Sequence, residues 1–214
     1  MNVIIFGVTG YAGGWIAREL VDRGHRVTGV SRNPGEVPDG VDVVQGDLRD
    51  SDFASRIAGG ADVVVVAVRP SVVATPDRSF ADVLLTTAIP AAERTGARLA
   101  IVAGSGTLVA PTGQRVMDAP TFNPAFLPES TQHAAALEAL RGLDDGPDWF
   151  ALSPPAQFGA AFGGSRTGRY TVGADALLVD EHGVSRISGP DYAVAFVDEL
   201  ERPRHHRTRF TVVG

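Results

Sequence analysis

Three glycines recur at intervals of three, Gly7, Gly10 and Gly13, inside the stretch NVIIFGVTGYAGG over residues 2–14. A glycine-rich turn presents backbone N–H groups that an anion can approach closely. A helix starting at such a turn adds the positive end of its dipole. The flanks supply both elements. Val3, Ile4, Ile5 and Phe6 form an unbroken apolar run that suits a strand buried on both faces. Trp15, Ile16, Leu20 and Val21 then recur at helical spacing until Gly24. Strand, turn and helix together fit the pyrophosphate of a dinucleotide, with Thr9, Tyr11 and Ala12 completing the turn. The pattern is Gly-x-x-Gly-x-x-Gly and not the Gly-x-Gly-x-x-Gly of the common dehydrogenases. A glycine in an ordinary strand-to-helix turn is the bland alternative.

A second group of polar residues follows the second apolar strand: Ser31, Arg32 and Asn33. Dinucleotide sites selective for NAD end this strand with an acid that accepts from the ribose hydroxyls. A carboxylate would repel a 2′-phosphate, whereas a hydroxyl and a guanidinium fork bind one through charge-assisted hydrogen bonds. The expected cofactor is therefore NADP(H), preferred over NAD(H), with Arg32 as chief contact and Ser31 and Asn33 assisting. The competing reading makes Arg32 a surface-loop residue. His133 is a candidate proton donor, since an unperturbed imidazole titrates near neutrality. A structural or exposed histidine is the alternative.

Composition removes other chemistries. All 19 basic residues are arginine, which excludes Schiff-base chemistry, a P-loop lysine and any Tyr-Lys pair. There is no cysteine, hence no disulfide, thiolate site or cysteine nucleophile. Adjacent His205 and His206 lack carboxylates at ligand spacing, so no metal is expected. The net charge of −6 and the want of a basic stripe argue against nucleic acid. The basic run Arg202, Arg204, His205, His206, Arg207 and Arg209 reads as a solvated loop. No apolar run is long enough to span a membrane, and no charged leader opens the chain, so the expectation is a cytoplasmic protein with no membrane partner.

The elements that must position these residues alternate. Strands are expected over 26–30, Val41–Gln45, 61–68 and 97–103. A short helix is expected over 50–57, and a longer one from about 77 to 94 despite Pro90. A loop carrying Pro34 separates the second and third strands. Alternation of this kind means βαβ units, a parallel sheet covered on both faces, and a ligand outside the carboxyl ends of the strands. Beyond residue 107 come a proline-rich loop to 128 and a helix over 129–143 with Ser130 or Thr131 as cap. Then follow strand Trp149–Ser153, a flexible glycine-rich flap over 158–168, a small ribbon of 170–172, 177–179 and 184–187, helix 190–200 and strand 209–213. The fold class is α/β, a Rossmann-type doubly wound parallel sheet with a small C-terminal extension on the substrate side. A single domain, 1–214, is expected, with its dinucleotide core over about 1–106 and the acceptor side from 107–214.

The segments IIFGVTGYAGG, SRNP, GDL, Gly104-Ser105-Gly106, DWFALSPPA, RTGRYTVG and SRISGPDYAVAFVDELE carry a resemblance. Over essentially its full length the chain resembles the atypical short-chain dehydrogenase/reductases, the NAD(P)H-binding, NmrA-like and biliverdin-reductase-B-like group. It is most similar to the bacterial proteins of that group assigned as NADH-flavin reductases. The resemblance implies an acid near the adenine amino group at Asp47, with Leu48 flanking the ring; a capping role that turns Asp47 to backbone is the alternative. It implies that Ala67, Val68 and Arg69 line the nicotinamide-side ribose. Arg69 would reach the pyrophosphate or simply face solvent. Ser105 takes the place of the active-site Ser/Thr, beside Gly104. Pro154, Pro155 and Ala156 would wall the nicotinamide, and Ala156 stands where relatives carry a histidine. The implied activity is hydride transfer from NADPH to a planar acceptor such as a flavin or quinone, by a monomer or homodimer. Phe126, Phe158 and Phe162 are candidates to stack on that acceptor. The rival is an NmrA-like redox sensor that binds NADP(H) without turnover. A sugar epimerase or dehydratase fits least, because it needs a placed base.

Overall fold

Strand β1 (Asn2–Phe6) lies at the middle of the sheet because its apolar run can be buried on both faces, and Ile5 and Phe6 are nearly inaccessible. In the computed structural model, which describes residues 1–33 and 35–214, helix α1 (Tyr11–Asp22) follows at once. Next come β2 (Arg26–Ser31), β3 (Val41–Gln45), α2 (Ser51–Ile57) and β4 (Val63–Val66). A short α3 (Pro70–Val73) precedes a continuous helical stretch of α4 (Phe80–Val83), a π-turn at Leu84–Ala88 and α5 (Ile89–Thr95). The chain closes with β5 (Arg98–Val102), α6 (Leu127–Arg141), β6 (Trp149–Ser153), β7 (Thr171–Gly173), α7 (Gly189–Glu201) and β8 (Thr208–Val213). Pro34 lies outside the described residues.

The eight strands run in the order β3-β2-β1-β4-β5-β6-β8-β7, all parallel except β7, which is antiparallel to β8. Helices α1 and α7 cover one face through Ile16, Leu20, Tyr192 and Phe196. The other face is covered by the elements carrying Ala54, Phe80, Leu84 and Leu137. Register brings the carboxyl ends of the strands level: Phe6 pairs with Val30 and Val66, Val66 with Ile101, and Val102 with Leu152. The residues just past those ends therefore meet at one edge. No helix among the described residues is long and apolar enough to cross a membrane.

Several boundaries differ from the sequence reading for identifiable reasons. The helix expected from 77 begins at Phe80, because Ser79 and Asp82 form a reciprocal capping box. Its π-turn sits immediately before Pro90, whose ring and missing N–H cannot continue a tight α-turn. Helix α6 begins at Leu127, with Pro128 in its first turn, so neither Ser130 nor Thr131 is the cap. The Thr131 hydroxyl instead donates back to the Leu127 carbonyl at 2.9 Å, and Ser130 is buried.

In the expected ribbon only Thr171–Gly173 is a strand, and it pairs with β8. The 177–179 segment is fixed by Leu177 N–H to the Val109 carbonyl, and 184–187 by the Gln157–Arg186 bridge together with bonds from the Asp180 and Gly214 amides to the Val184 and Arg186 carbonyls. The glycine-rich segment is an exposed strap whose far end is tied down: Arg166 pairs with Glu19 at 2.8 Å, and Asp191 accepts from the Thr167 and Gly168 amides. The basic run is not wholly a solvated loop. Arg209 is buried and donates to Asp175 and to the Thr107 hydroxyl. His205 is held by Glu199 at 2.7 Å and stacks on Phe210, while His206 pairs with Asp148.

Candidate functional site

Gly7 follows β1 with φ at +91°, a left-handed conformation that side chains disfavour. A Cβ there would also meet the Ala67 carbonyl oxygen at 2.6 Å, so β1 and β4 end in backbone-to-backbone contact. Gly10 precedes α1 with extended geometry, and the first helical hydrogen bond runs from Gly14 N–H to the Gly10 carbonyl at 2.8 Å. The amides of Tyr11, Ala12 and Gly13 thus precede the helical ladder. The first turn holds no acidic residue that would oppose an anion. Gly13 itself lies beneath the turn: a Cβ would sit 2.2 Å from the Gly7 carbonyl oxygen, so its part is close packing of helix on strand. The donor set suits a pyrophosphate, which needs bare amides and no competing carboxylate.

The turn forms the middle of a cleft of about 1040 Å³. Toward the β3 edge, Ser31, Arg32, Asn33, Asp47 and Leu48 line it. The Ser31 hydroxyl lies 3.1 Å from the Thr9 hydroxyl and donates to the Asn33 carbonyl at 2.8 Å. Gln45 donates to the Arg32 carbonyl, which steadies the corner. The Arg32 guanidinium is exposed, donates only weakly to the Val72 carbonyl at 3.4 Å, and pairs with no carboxylate among the described residues.

Asp47 behaves otherwise. It accepts from Nε and Nη2 of Arg49 and from the Arg49 amide, and the Arg49 guanidinium holds its carboxyl below the usual carboxylate range against the opposing effect of burial. The cap of α2 is Asp50, which accepts from the amides of Asp52 and Phe53. Asp47 is therefore held chiefly by the Arg49 side chain and is not the helix cap. It still lines the cleft.

At the centre Ala67, Val68 and Arg69 line the wall past β4. Arg69 is exposed, yet it reaches across to Glu129 of α6 at 3.1 Å. Toward β6 the turn Gly104-Ser105-Gly106 is clasped by α6. A Cβ at Gly104 would meet the His133 ring at 2.7 Å, and one at Gly106 the Ser130 hydroxyl at 2.4 Å. Ser130 and His133 stand three apart on α6 and so share a face. Gln132 is committed elsewhere, accepting the Phe80 amide at the start of α4.

His133 packs edge-on against Phe80, and burial lowers its pKa from 6.5 to about 4 against the opposing field of Glu129. That shift favours the uncharged imidazole near neutrality, and His133 lines the cleft. Ser105 opens a 3-10 turn on the cleft wall, and its hydroxyl makes no hydrogen bond to the described residues.

Pro154 and Pro155 are buried where β6 ends, and Ala156 is exposed beside them. Their wall is braced from behind: Tyr192 donates to the Leu152 carbonyl at 2.8 Å, and the Ala156 amide bonds the Ser185 hydroxyl. Phe158 packs between Tyr11 and Tyr192, with ring centres 5.3 and 4.5 Å away, so it is structural as well as lining. Phe126 and Phe162, 59% and 37% exposed, stand at the rim.

Glu129, Ser130, Val72 and Phe122 also line the cleft and were not singled out for it from the sequence. For Ser130 a signal existed. Starting α6 at Leu127, with Pro128 in the first turn, puts Ser130 and His133 on the side that carries Leu137 and Leu140. For Glu129 no local signal existed, because its partner is 60 residues away.

Comparison with known proteins agrees with this geometry. Residues 7–200 match the family model described as NAD(P)H-binding. The chain is 36% identical to the protein YwnB of Bacillus subtilis strain 168, covering 100% of this chain and 99% of that one. Among solved structures it is similar to a Bacteroides thetaiotaomicron protein provisionally named an epimerase, with 33% identity, a TM-score of 0.87, and 99% and 96% of the two chains covered. It is also similar to a Streptococcus pneumoniae protein, SP1627, provisionally named an NADH-flavin reductase, with 27% identity, a TM-score of 0.78, and 100% and 99% covered. The glycine turn, the Rossmann-like sheet and these matches agree: the chain belongs to the NAD(P)H-binding family.

Proposed function

We propose that the protein is an NADPH-dependent oxidoreductase that delivers hydride to a planar acceptor of the flavin or quinone kind. The observation that carries this reading is a single cleft with a guanidinium uncommitted to any carboxylate at one end and a proline- and aromatic-walled recess at the other. Hydride is the chemistry that the dinucleotide supplies when bound. The chain's own groups do the rest. The amides at the start of α1 hold the pyrophosphate, and Arg32 with Ser31 and Asn33 reads the 2′-phosphate. Pro154 and Pro155 fix which face of the nicotinamide is offered, and the Ser105 hydroxyl donates to a carbonyl of the acceptor or of the nicotinamide amide.

A neutral His133 and the want of a Tyr-Lys pair leave no strong acid at the recess. That suits an acceptor whose reduced form draws its proton from water, and suits sugar epimerisation poorly. The similarity to SP1627 supports the same reading. The sparse acid–base set also favours a second one, a redox sensor that binds NADP(H) without turnover. Oxidation of NADPH in the presence of riboflavin, FMN and short-chain quinones separates the two. Turnover above the free-solution rate with at least one acceptor is expected. Tight NADP(H) binding with no turnover across the panel would favour the sensor.

A further inference from the structure

Four residues lining the cleft carry a full charge: Arg32, Asp47, Arg69 and Glu129. Asp47 is held by Arg49, and Arg69 is held by Glu129. Arg32 is left, and it stands at the end nearest β3. From Gly104 onward the wall consists of aromatic, proline and small apolar side chains, with the hydroxyls of Ser105, Thr121 and Ser130, the amide of Asn123 and the uncharged His133. Its one ionised group is a carboxylate, Glu129. Outside the lining, Arg115 makes a two-pronged bond to Asp118, and Arg186 donates to the Phe162 carbonyl at the rim.

An acceptor bearing phosphate or carboxylate would give up hydration in this recess and meet no unpaired cation among its lining residues, since Arg69 is already held by Glu129. We propose that the acceptor is uncharged: a planar ring system presenting carbonyls and hydroxyls, of the unphosphorylated flavin or neutral quinone class, and that FMN and FAD are discriminated against. This rests on the reductase reading above and sharpens it to an acceptor class. Ser105, Ser130 and Asn123 can donate to ring carbonyls, and Phe126 and Phe162 offer faces for stacking.

The test uses the full chain saturated with NADP⁺, so that no turnover occurs, and titrates riboflavin and FMN by quenching of flavin fluorescence. Riboflavin should bind about tenfold or more tightly than FMN, a preference of about 1.4 kcal/mol. With NADPH, kcat/KM should follow the same order. Equal affinities, or tighter FMN, overturn the proposal while leaving the reductase reading standing. A riboflavin preference without turnover upholds the preference and counts against the reductase reading. Failure of riboflavin and of a neutral quinone to bind at all overturns the proposal. The variant Glu129→Gln removes the carboxylate and releases Arg69, so the riboflavin-to-FMN ratio should narrow at least about threefold. A ratio unmoved by this change overturns the electrostatic basis of the proposal.

Discussion

At the β3 end of the cleft, charged and polar side chains hold one another and leave one guanidinium over. Arg49 takes Asp47, Gln45 and Ser31 steady the backbone on either side, and Arg32 is turned toward the cleft with only a weak carbonyl contact. At the β6 end the same fold places buried prolines, a desolvated histidine and hydroxyls, and its single carboxylate is neutralised by an arginine from β4's loop. The contrast is between an end able to read a phosphate by charge and an end able to read a neutral surface by shape. The proposed reductase function needs that difference, because one end must hold an anionic cofactor while the other takes an acceptor that arrives and leaves at each turnover.

Three substitutions sharpen or break the contrast. The largest effect is expected at the pivot between the ends. Gly7→Ala forces a side chain into a left-handed backbone and against the Ala67 carbonyl, a cost of roughly 3 kcal/mol or more. NADPH and NADH binding should both fall about a hundredfold, measured by calorimetry, with a lowered Tm. Unchanged affinity would mean that the turn is not the anchor. Next, Arg32→Ala should weaken NADPH by roughly 10- to 100-fold, the worth of charge-assisted hydrogen bonds, and leave NADH nearly untouched. Equal losses of the two cofactors would break the assignment of that end to the 2′-phosphate.

The third effect belongs to the other end and is read as stability. His133 binds its proton less readily folded, at about 4, than unfolded, near 6.5. Between these values the unfolded chain holds more protons, so stability is complete above about pH 6.5 and falls as the pH drops toward 4. The amplitude is up to about 3 kcal/mol. His133→Leu should flatten that acid limb in denaturation curves taken from pH 7 to 4.5. An identical limb would place the imidazole in water, and with it the claim of an uncharged recess would fail.

The glycine turn was legible in the sequence because its chemistry is local: a run of apolar residues, three glycines and a helix repeat lie within two dozen positions. The same holds for β6, whose bounds at Trp149–Ser153 matched the reading, and for Arg32, whose place at the end of β2 follows from strand spacing. Legibility failed where a distant partner decides a side chain's state. His133 reads as a near-neutral acid until α6 is laid on Gly104 and Phe80. Arg69 reads as a pyrophosphate ligand or a solvent residue until Glu129 arrives beside it. Arg209, which reads as one of a solvated basic run, is buried because β8 threads it past Asp175 and Thr107.

By itself the sequence determined the order of strands and helices, the anion-ready turn, the arginine that follows β2 and the want of any lysine. These depend on residue type and short-range periodicity, which the chain carries wherever it folds. The tertiary structure alone decided which charges remain available. Arg69 and Arg209 are engaged by Glu129 and Thr107, 60 and 102 positions away, and His133 is enclosed by Phe80 and Gly104, whereas Asp47 is held by Arg49 only two positions along the chain.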